Sequence, residues 1–232
     1  MAWTCSGKTN VELVLNMARA GLLSNTRVLE AMKATDRAKY MRPASARYAY
    51  DDSPQSIGHG ATISAPHMHA HTLEALEPFL QPGARALDVG SGSGVVCACM
   101  ARLIGGADTG TGAVVGIEHV PELVEWSREN VVKDGLDASR VTFICGDGRK
   151  GYPSSGPYDA IHVGAAAPSL CDDLVDQLKA PGRMFIPVGT DTQEVVQVDK
   201  DAEGNVTKKT LFGVMYVPLT ELDKQLNSGR YS

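Results

Sequence analysis

"ARALDVGSGSGVVCACMARLI", residues 84–104, decides the fold. A short apolar run closes on glycine, further glycines follow at positions 92 and 94, and an apolar helical stretch opens directly after them. A strand that turns through glycine into a helix is the opening unit of an open α/β sheet. The alternation then continues. "GAVVGIE" (112–118) precedes helical "PELVEWSRENVVKDG" (121–135). "RVTFICGDG" (140–148) and "YDAIHVGAA" (158–166) are followed by helical "SLCDDLVDQLKAPG" (169–182). "RMFIPVG" (183–189), "EVVQVDK" (194–200) and "KKTLFGVMYVPL" (208–219) complete the series. Strands alternating with helices of this length predict a doubly wound, mostly parallel α/β sheet covered on both faces. Only "DAEGN" (201–205) joins the last two strands, too little for a crossover helix, so they are expected to form an antiparallel C-terminal hairpin.

Upstream, residues 9–21 and 26–34 carry helical spacing, with Gly21 as a C′ residue and "SNT" (24–26) supplying N-cap candidates. Residues 41–60 look irregular, punctuated by Pro43, Pro54, Gly58 and Gly60. One domain over 1–232 is expected, residues 1–80 forming a helical cap and active-site segment ahead of the sheet in 81–232. Trp3 and Trp126 have no motif around them and read as packing residues.

The 232 residues carry a net charge of −5, which gives no general attraction to nucleic acid or anionic lipid. Basic residues dominate the first fifty positions, from Lys8 to Arg47, as a solvated helical face. No apolar run approaches the ~20 residues of a membrane span, and "MAWTCSGKTN" lacks the apolar core of a signal peptide. Cys5, Cys97, Cys99, Cys145 and Cys171 are odd in number and follow neither a C-x-x-C nor a zinc-finger spacing. Buried free thiols in a reducing cytosol are expected.

The glycine loop, Gly90-Ser91-Gly92-Ser93-Gly94, brings a ligand against main-chain N–H groups. Dinucleotide folds need glycine or alanine three positions after Gly92, where this chain has Val95. Asp88, just before the loop, would repel a pyrophosphate and suits a ligand bearing an ammonium group and a sulfonium. S-adenosylmethionine is such a ligand. Glu118, ending the second strand, is placed to accept both ribose hydroxyls. Asp147 can accept from the adenine amino group while Gly148 allows close approach.

"ATISAPHMHAH" (61–71) holds three of the six histidines, at every second position, which invites a metal site or a zinc hydrolase. In a helix, His67 and His71 would share a face and His69 would point elsewhere. No H-E-x-x-H and no nearby cysteine complete a site, so no metal is expected. Ser64 is instead a natural N-cap and Pro66 a first-turn residue, and a helix amino terminus is a ready anion site.

Several stretches together resemble one family. They are "DSPQSIG" (52–58), "TISAPHMHA" (62–70), "LDVGSGSG" (87–94), "GDGRKGYP" (146–153), "PYDAIHVGAAAP" (157–168) and "GVMYVPLT" (213–220). The chain resembles the protein-L-isoaspartate (D-aspartate) O-methyltransferases in these stretches, in the family's order. The resemblance implies a monomeric cytosolic repair enzyme that methylates the α-carboxylate of L-isoaspartyl residues, and D-aspartyl residues less well, in damaged proteins and peptides. The ester would close to a succinimide that hydrolyses in part to normal aspartate. It implies Ser64 as the catalytic residue, read here as orienting the carboxylate rather than attacking. Around the cofactor it implies Ala61, Thr62, Ile63, Ser64, His69, Ser93, His119, Thr220 and Gln225, the last in the loosely matching tail "ELDKQLNSGRYS". Around the substrate it implies Ile57, Ser64, His162, Val163, Ala165 and Ala166. From the residues alone, His162 reads equally as a satisfied strand-end histidine. The cofactor loop by itself also fits a methyltransferase for a small-molecule carboxylate.

Overall fold

The computed structural model describes residues 5–105 and 112–227. Trp3 and the last five residues of the tail lie outside them.

Seven strands form one sheet: β3 (Arg85–Val89), β4 (Ala113–Glu118), β5 (Val141–Cys145), β6 (Tyr158–Val163), β7 (Leu178–Val188), β8 (Gln193–Lys200) and β9 (Val206–Val214), in the order β5-β4-β3-β6-β7-β8-β9. β5, β4, β3, β6 and β7 run parallel. β8 and β9 are antiparallel additions, and β9 is an edge. The sheet matches the expectation, including the closing hairpin. Chain direction across the sheet reverses beside β3, and open α/β sheets bind ligands at that point, outside the carboxyl ends of the strands.

Both faces of the sheet are covered, so β3 is buried at four successive positions, 86 to 89, rather than at alternate ones. Leu87 and Val89 pack into a core with Ile117, Ile161 and Ile186 on one face. Ala86 belongs to the core on the other face, with Met100, Leu123 and Phe143. That second core takes in α4 (Val95–Ile104) and α5 (Pro121–Lys133), and the amino-terminal helices α1 (Asn10–Arg19) and α2 (Thr26–Ala34) as well. Asn25, from the expected "SNT", caps α2 by accepting from the Arg27 and Val28 amides. Buried Asn10 donates to the carbonyls of Met32, Lys33 and Thr35 and so closes the other end of α2.

Two expectations are corrected. The helix read into 169–182 is only α6 (Asp172–Asp176). β7 already starts at Leu178, because Pro181 and Gly182 suit a helix interior badly. The segment 41–60 is also not wholly irregular: β1 (Gln55–Gly58) and β2 (Ala61–Ile63) make a hairpin through Gly58-His59-Gly60, all three at positive φ.

The amino-terminal cap is fastened by polar anchors. Tyr40 donates to Asp134 at the end of α5, Arg102 of α4 donates to the same carboxylate oxygen, and Lys39 lies 3.0 Å from the other. Arg42 donates to the Ile57 carbonyl while its guanidinium lies 3.8 Å above the Trp126 ring, tying the β1–β2 hairpin to α5. Among the described residues, no helix is long and apolar enough to cross a membrane.

Candidate active site

The carboxyl ends of β3 to β6 enclose a cleft of about 520 Å³. Its wall comes from Ala61 and Thr62 of β2, Gly90 and Gly92 after β3, Glu118 and His119 after β4, Gly148 after β5, and Gly164 and Ala165 after β6. Thr220 and Gln225 close the far side, with Val217, Pro218 and Leu219 between them and the sheet. Ten residues singled out in the sequence therefore meet at one place: Ala61, Thr62, Gly90, Gly92, Glu118, His119, Gly148, Ala165, Thr220 and Gln225. Gln225, in the loosest part of the resemblance, sits on α7 (Leu222–Asn227), beside His119 Nε2 at 2.9 Å and donating to the His59 carbonyl.

The floor of the cleft is backbone. Gly92 has φ +50°, and a Cβ there would lie 3.1 Å from Ile57 Cδ1. A Cβ on Gly148 would fall 2.6 Å from Val89 Cγ1. Glu118 is buried, and its two oxygens accept from the Gly92 and Val120 amides, each at 3.1 Å. A carboxylate oxygen has two lone pairs, so each keeps one toward the cleft. The buried Ser91 hydroxyl, at the same loop, has no hydrogen-bond partner among the described residues. Among the described residues, neither lysine nor arginine lines the cleft. A backbone floor, a carboxylate with acceptor capacity to spare and no cation fit an adenosine diol joined to a positively charged group. They do not fit a pyrophosphate.

Other residues named from the sequence stand apart from this wall. Asp88 is 1% exposed, and its carboxylate meets His162 Nδ1 at 2.7 Å and accepts from Cys97 at 3.1 Å. It lies beneath the loop rather than facing a ligand, because a carboxylate that deep requires partners at hand. His162, its cross-strand neighbour, is thereby the satisfied strand-end histidine. Asp147 turns to Arg149, which holds its carboxyl below the usual range by donating to both oxygens. Ile63 and Val163 are core residues, and Gly94 starts α4 against Phe143. Ile57 is core against Gly92. Ser93 is buried, its carbonyl accepting from Asn130. Ala166 is bonded through its backbone to Val217 and Leu219.

Ser64 lies across Thr62 from the cleft, in an adjoining groove. It shares a hydrogen bond with Tyr216, whose hydroxyl burial pushes up to about 12, so that it stays protonated. The expected capping role of Ser64 is corrected. The N-cap of α3 (Pro66–Leu76) is Ala65, without a side-chain cap. Asp52, fifteen residues from His67 in sequence, accepts from the His67 amide at 3.0 Å and meets His67 Nδ1 at 2.8 Å. Pro66 has no N–H and Met68 donates to Ala65, so the helix start already holds the protein's own anion. Burial pushes the Asp52 carboxyl up, but the His67 contacts outweigh it and leave the group below its ordinary range. Asp52 and Tyr216 were overlooked as site residues although both fall inside quoted motifs.

The histidine triplet diverges. His67 joins Asp52, His71 packs on the Phe212 ring and His69 points into the interior beside Arg37. His69 therefore stands away from the cofactor-sized cleft. Burial, reinforced by Arg37, His162 and His67, holds His69 well below its usual pKa. The fold thus keeps it neutral while the unfolded chain protonates it near pH 6.5. Its contribution is complete above about pH 6.5 and is lost as pH falls, up to about 1.4 kcal/mol per pH unit for one proton. His71, lowered by burial, adds in the same direction. In thermal unfolding followed from pH 7 to 5, His69→Gln is expected to show a shallower decline than the parent. Equal slopes would contradict the assignment.

A family model described as protein-L-isoaspartate(D-aspartate) O-methyltransferase matches residues 8–224. The chain belongs to that family. A protein-L-isoaspartate O-methyltransferase of Caenorhabditis elegans is 45% identical over 232 residues, covering 98% of this chain and 99% of the relative. One from Triticum aestivum is 47% identical over 221 residues, 94% of each. A Plasmodium falciparum protein-L-isoaspartate O-methyltransferase, solved in complex with S-adenosyl-L-homocysteine, superposes with a TM-score of 0.83 at 36% identity, covering 92% of this chain and 99% of that one.

Proposed function

We propose that this isoaspartate methyltransferase uses S-adenosyl-L-methionine to esterify the free α-carboxylate of L-isoaspartyl residues, and D-aspartyl residues less well, in damaged proteins and peptides. The ester then closes to a succinimide, because methanol leaves far more readily than oxide. The observation that carries this reading is the placement of Ser64 across Thr62 from a cleft that Glu118 lines and that no lysine or arginine among the described residues enters. When bound, the cofactor supplies an electrophilic methyl group on a sulfonium. Glu118 accepts from the ribose hydroxyls, with Gly90, Gly92 and Gly148 giving its adenosine close backbone approach. Ser91, His119, Thr220 and Gln225 close around it.

An ionised carboxylate attacks a sulfonium methyl without a general base, so the protein's task is to align the two and exclude water. Ser64, steadied by Tyr216, orients the carboxylate, and Gly164 and Ala165 leave room for it. Residues 1–80 and 81–232 act as parts of one domain, since Arg27 of the first donates to the Leu80 and Leu103 carbonyls. The five free cysteines, buried as expected at Cys5, Cys97 and Cys99 but exposed at Cys145 and half-buried at Cys171, favour a reducing, cytosolic location, and the dispersed exposed apolar side chains favour a monomer.

Two matched peptides, one with isoaspartate and one with normal aspartate, test the reading with methyl-labelled cofactor. Base-labile label in the first alone is expected; label in neither would leave a small-molecule carboxylate as the substrate. Ser64→Ala is expected to lower kcat/KM roughly tenfold to a hundredfold, the loss of one hydrogen bond to a charged group, with cofactor affinity unchanged. Full activity in that variant would remove Ser64 from the mechanism.

A further inference from the structure

The groove that holds Ser64 is far larger than a carboxylate needs. It spans about 1080 Å³, part of it open to solvent, between the amino end of α3 and the end of β9. Among the described residues, no aspartate, glutamate, lysine or arginine lines it. Phe212, braced against the His71 ring at 4.9 Å between centroids, forms one wall, and half-buried Met68 the other. At the rim Met215 is 96% exposed, an unusual position for a large apolar side chain just beyond an edge strand.

A polypeptide whose carboxylate reaches Ser64 must lay its adjoining residues over one side or the other. On the cleft side the way is closed, because Ala166 donates to the Val217 carbonyl and accepts from Leu219, knitting the two segments together. The groove is the open side, and Ser64 stands on its wall. Beyond Ser64 and the His67 and His71 rings its surface is largely apolar, with Met68, Phe212, Val214 and Met215, which suits an apolar side chain. Among the described residues it offers a charged one no carboxylate, ammonium or guanidinium partner to replace the water it would shed. Methionine at both wall and rim adds tolerance: an unbranched thioether with three rotatable bonds repacks around side chains of different shape.

Building on the proposed isoaspartyl activity, we propose that this groove binds the side chain of the residue next to the isoaspartyl residue in the substrate, and that Met68 and Met215 fold over it to select apolar neighbours. Isoaspartyl peptides identical except for leucine, alanine or aspartate at the adjoining position, before the isoaspartyl residue in one series and after it in a second, provide the test. With the parent protein, kcat/KM is expected to be about tenfold higher for leucine than for aspartate in one of the two series, through KM rather than kcat. In Met215→Glu that preference is expected to collapse toward one or invert, and Met215 is too exposed for the change to disturb packing. Equal rates across both series, a preference for aspartate, or a leucine preference that survives Met215→Glu would each overturn the proposal. Failure to methylate any of the peptides would instead strike the isoaspartyl reading on which it rests.

Discussion

Glu118→Ala is expected to weaken S-adenosyl-L-methionine binding at least about a hundredfold while leaving a folded protein. Two ribose hydroxyl bonds to an ionised carboxylate, at about 1.5–3 kcal/mol each, set the size of the loss. Truncation also strands the Gly92 and Val120 amides that Glu118 now accepts from, one of them in the cofactor loop itself. Glu118→Gln separates the two effects. It keeps the side chain's shape and one acceptor oxygen, so its loss should be nearer tenfold. Calorimetric titration with S-adenosyl-L-homocysteine measures both variants directly. The ligand-induced rise in melting temperature supplies a second reading, since it scales with the logarithm of ligand concentration over Kd. An affinity within threefold of the parent in Glu118→Ala would show that the carboxylate does not hold the diol.

The fold was largely legible because its central strands are buried on both faces and end on glycine, a pattern that needs no knowledge of neighbours. Gly90 and Glu118 were legible for the same local reason, since one follows the end of β3 and the other ends β4, and Gly92 and Gly94 because they complete the turn from β3 into α4. What escaped depended on partners distant in sequence. Asp88 looked free to face a ligand, yet His162, seventy-four residues later, sits opposite it on β6 and takes its carboxylate. "Ser-Ala-Pro" reads locally as a capped helix start, but Asp52 had already supplied the cap from across the hairpin. The hairpin itself was hidden because strands of four and three residues are too short to display an alternation. "SLCDDLVDQLKAPG" failed the other way: its apolar spacing is helical, and Pro181 and Gly182 decided the outcome.

Asp134→Ala should be the most destabilising of the substitutions considered, by about 3 kcal/mol. The Asp134 side chain is wholly buried and accepts from the Tyr40 hydroxyl at 2.9 Å and from Arg102 at 2.7 Å. Burial, and then Asp134 itself, pushes the Tyr40 hydroxyl far up, so it is a proton donor at every accessible pH. Removing the carboxylate leaves that donor unpaired in the core and Arg102 without its counter-charge. Breaking a fully buried pair costs about 3–5 kcal/mol. The lower end applies here because Arg102 retains Thr35 as a partner and Lys39 is partly in solvent. For a chain of this size the melting temperature should fall by about 6–12 °C. Tyr40→Phe removes only one bond and should cost about 1 kcal/mol, and less again in the Asp134→Ala background, where its partner is already gone. The consequence for function is indirect. Tyr40 anchors the segment that leads into the β1–β2 hairpin, and that hairpin brings Ala61 and Thr62 to the cleft. Limited proteolysis of Asp134→Ala should therefore cut first within residues 37–60, at temperatures where the sheet still holds. A melting temperature within 2 °C of the parent would mean that the cap is held by its apolar contacts alone.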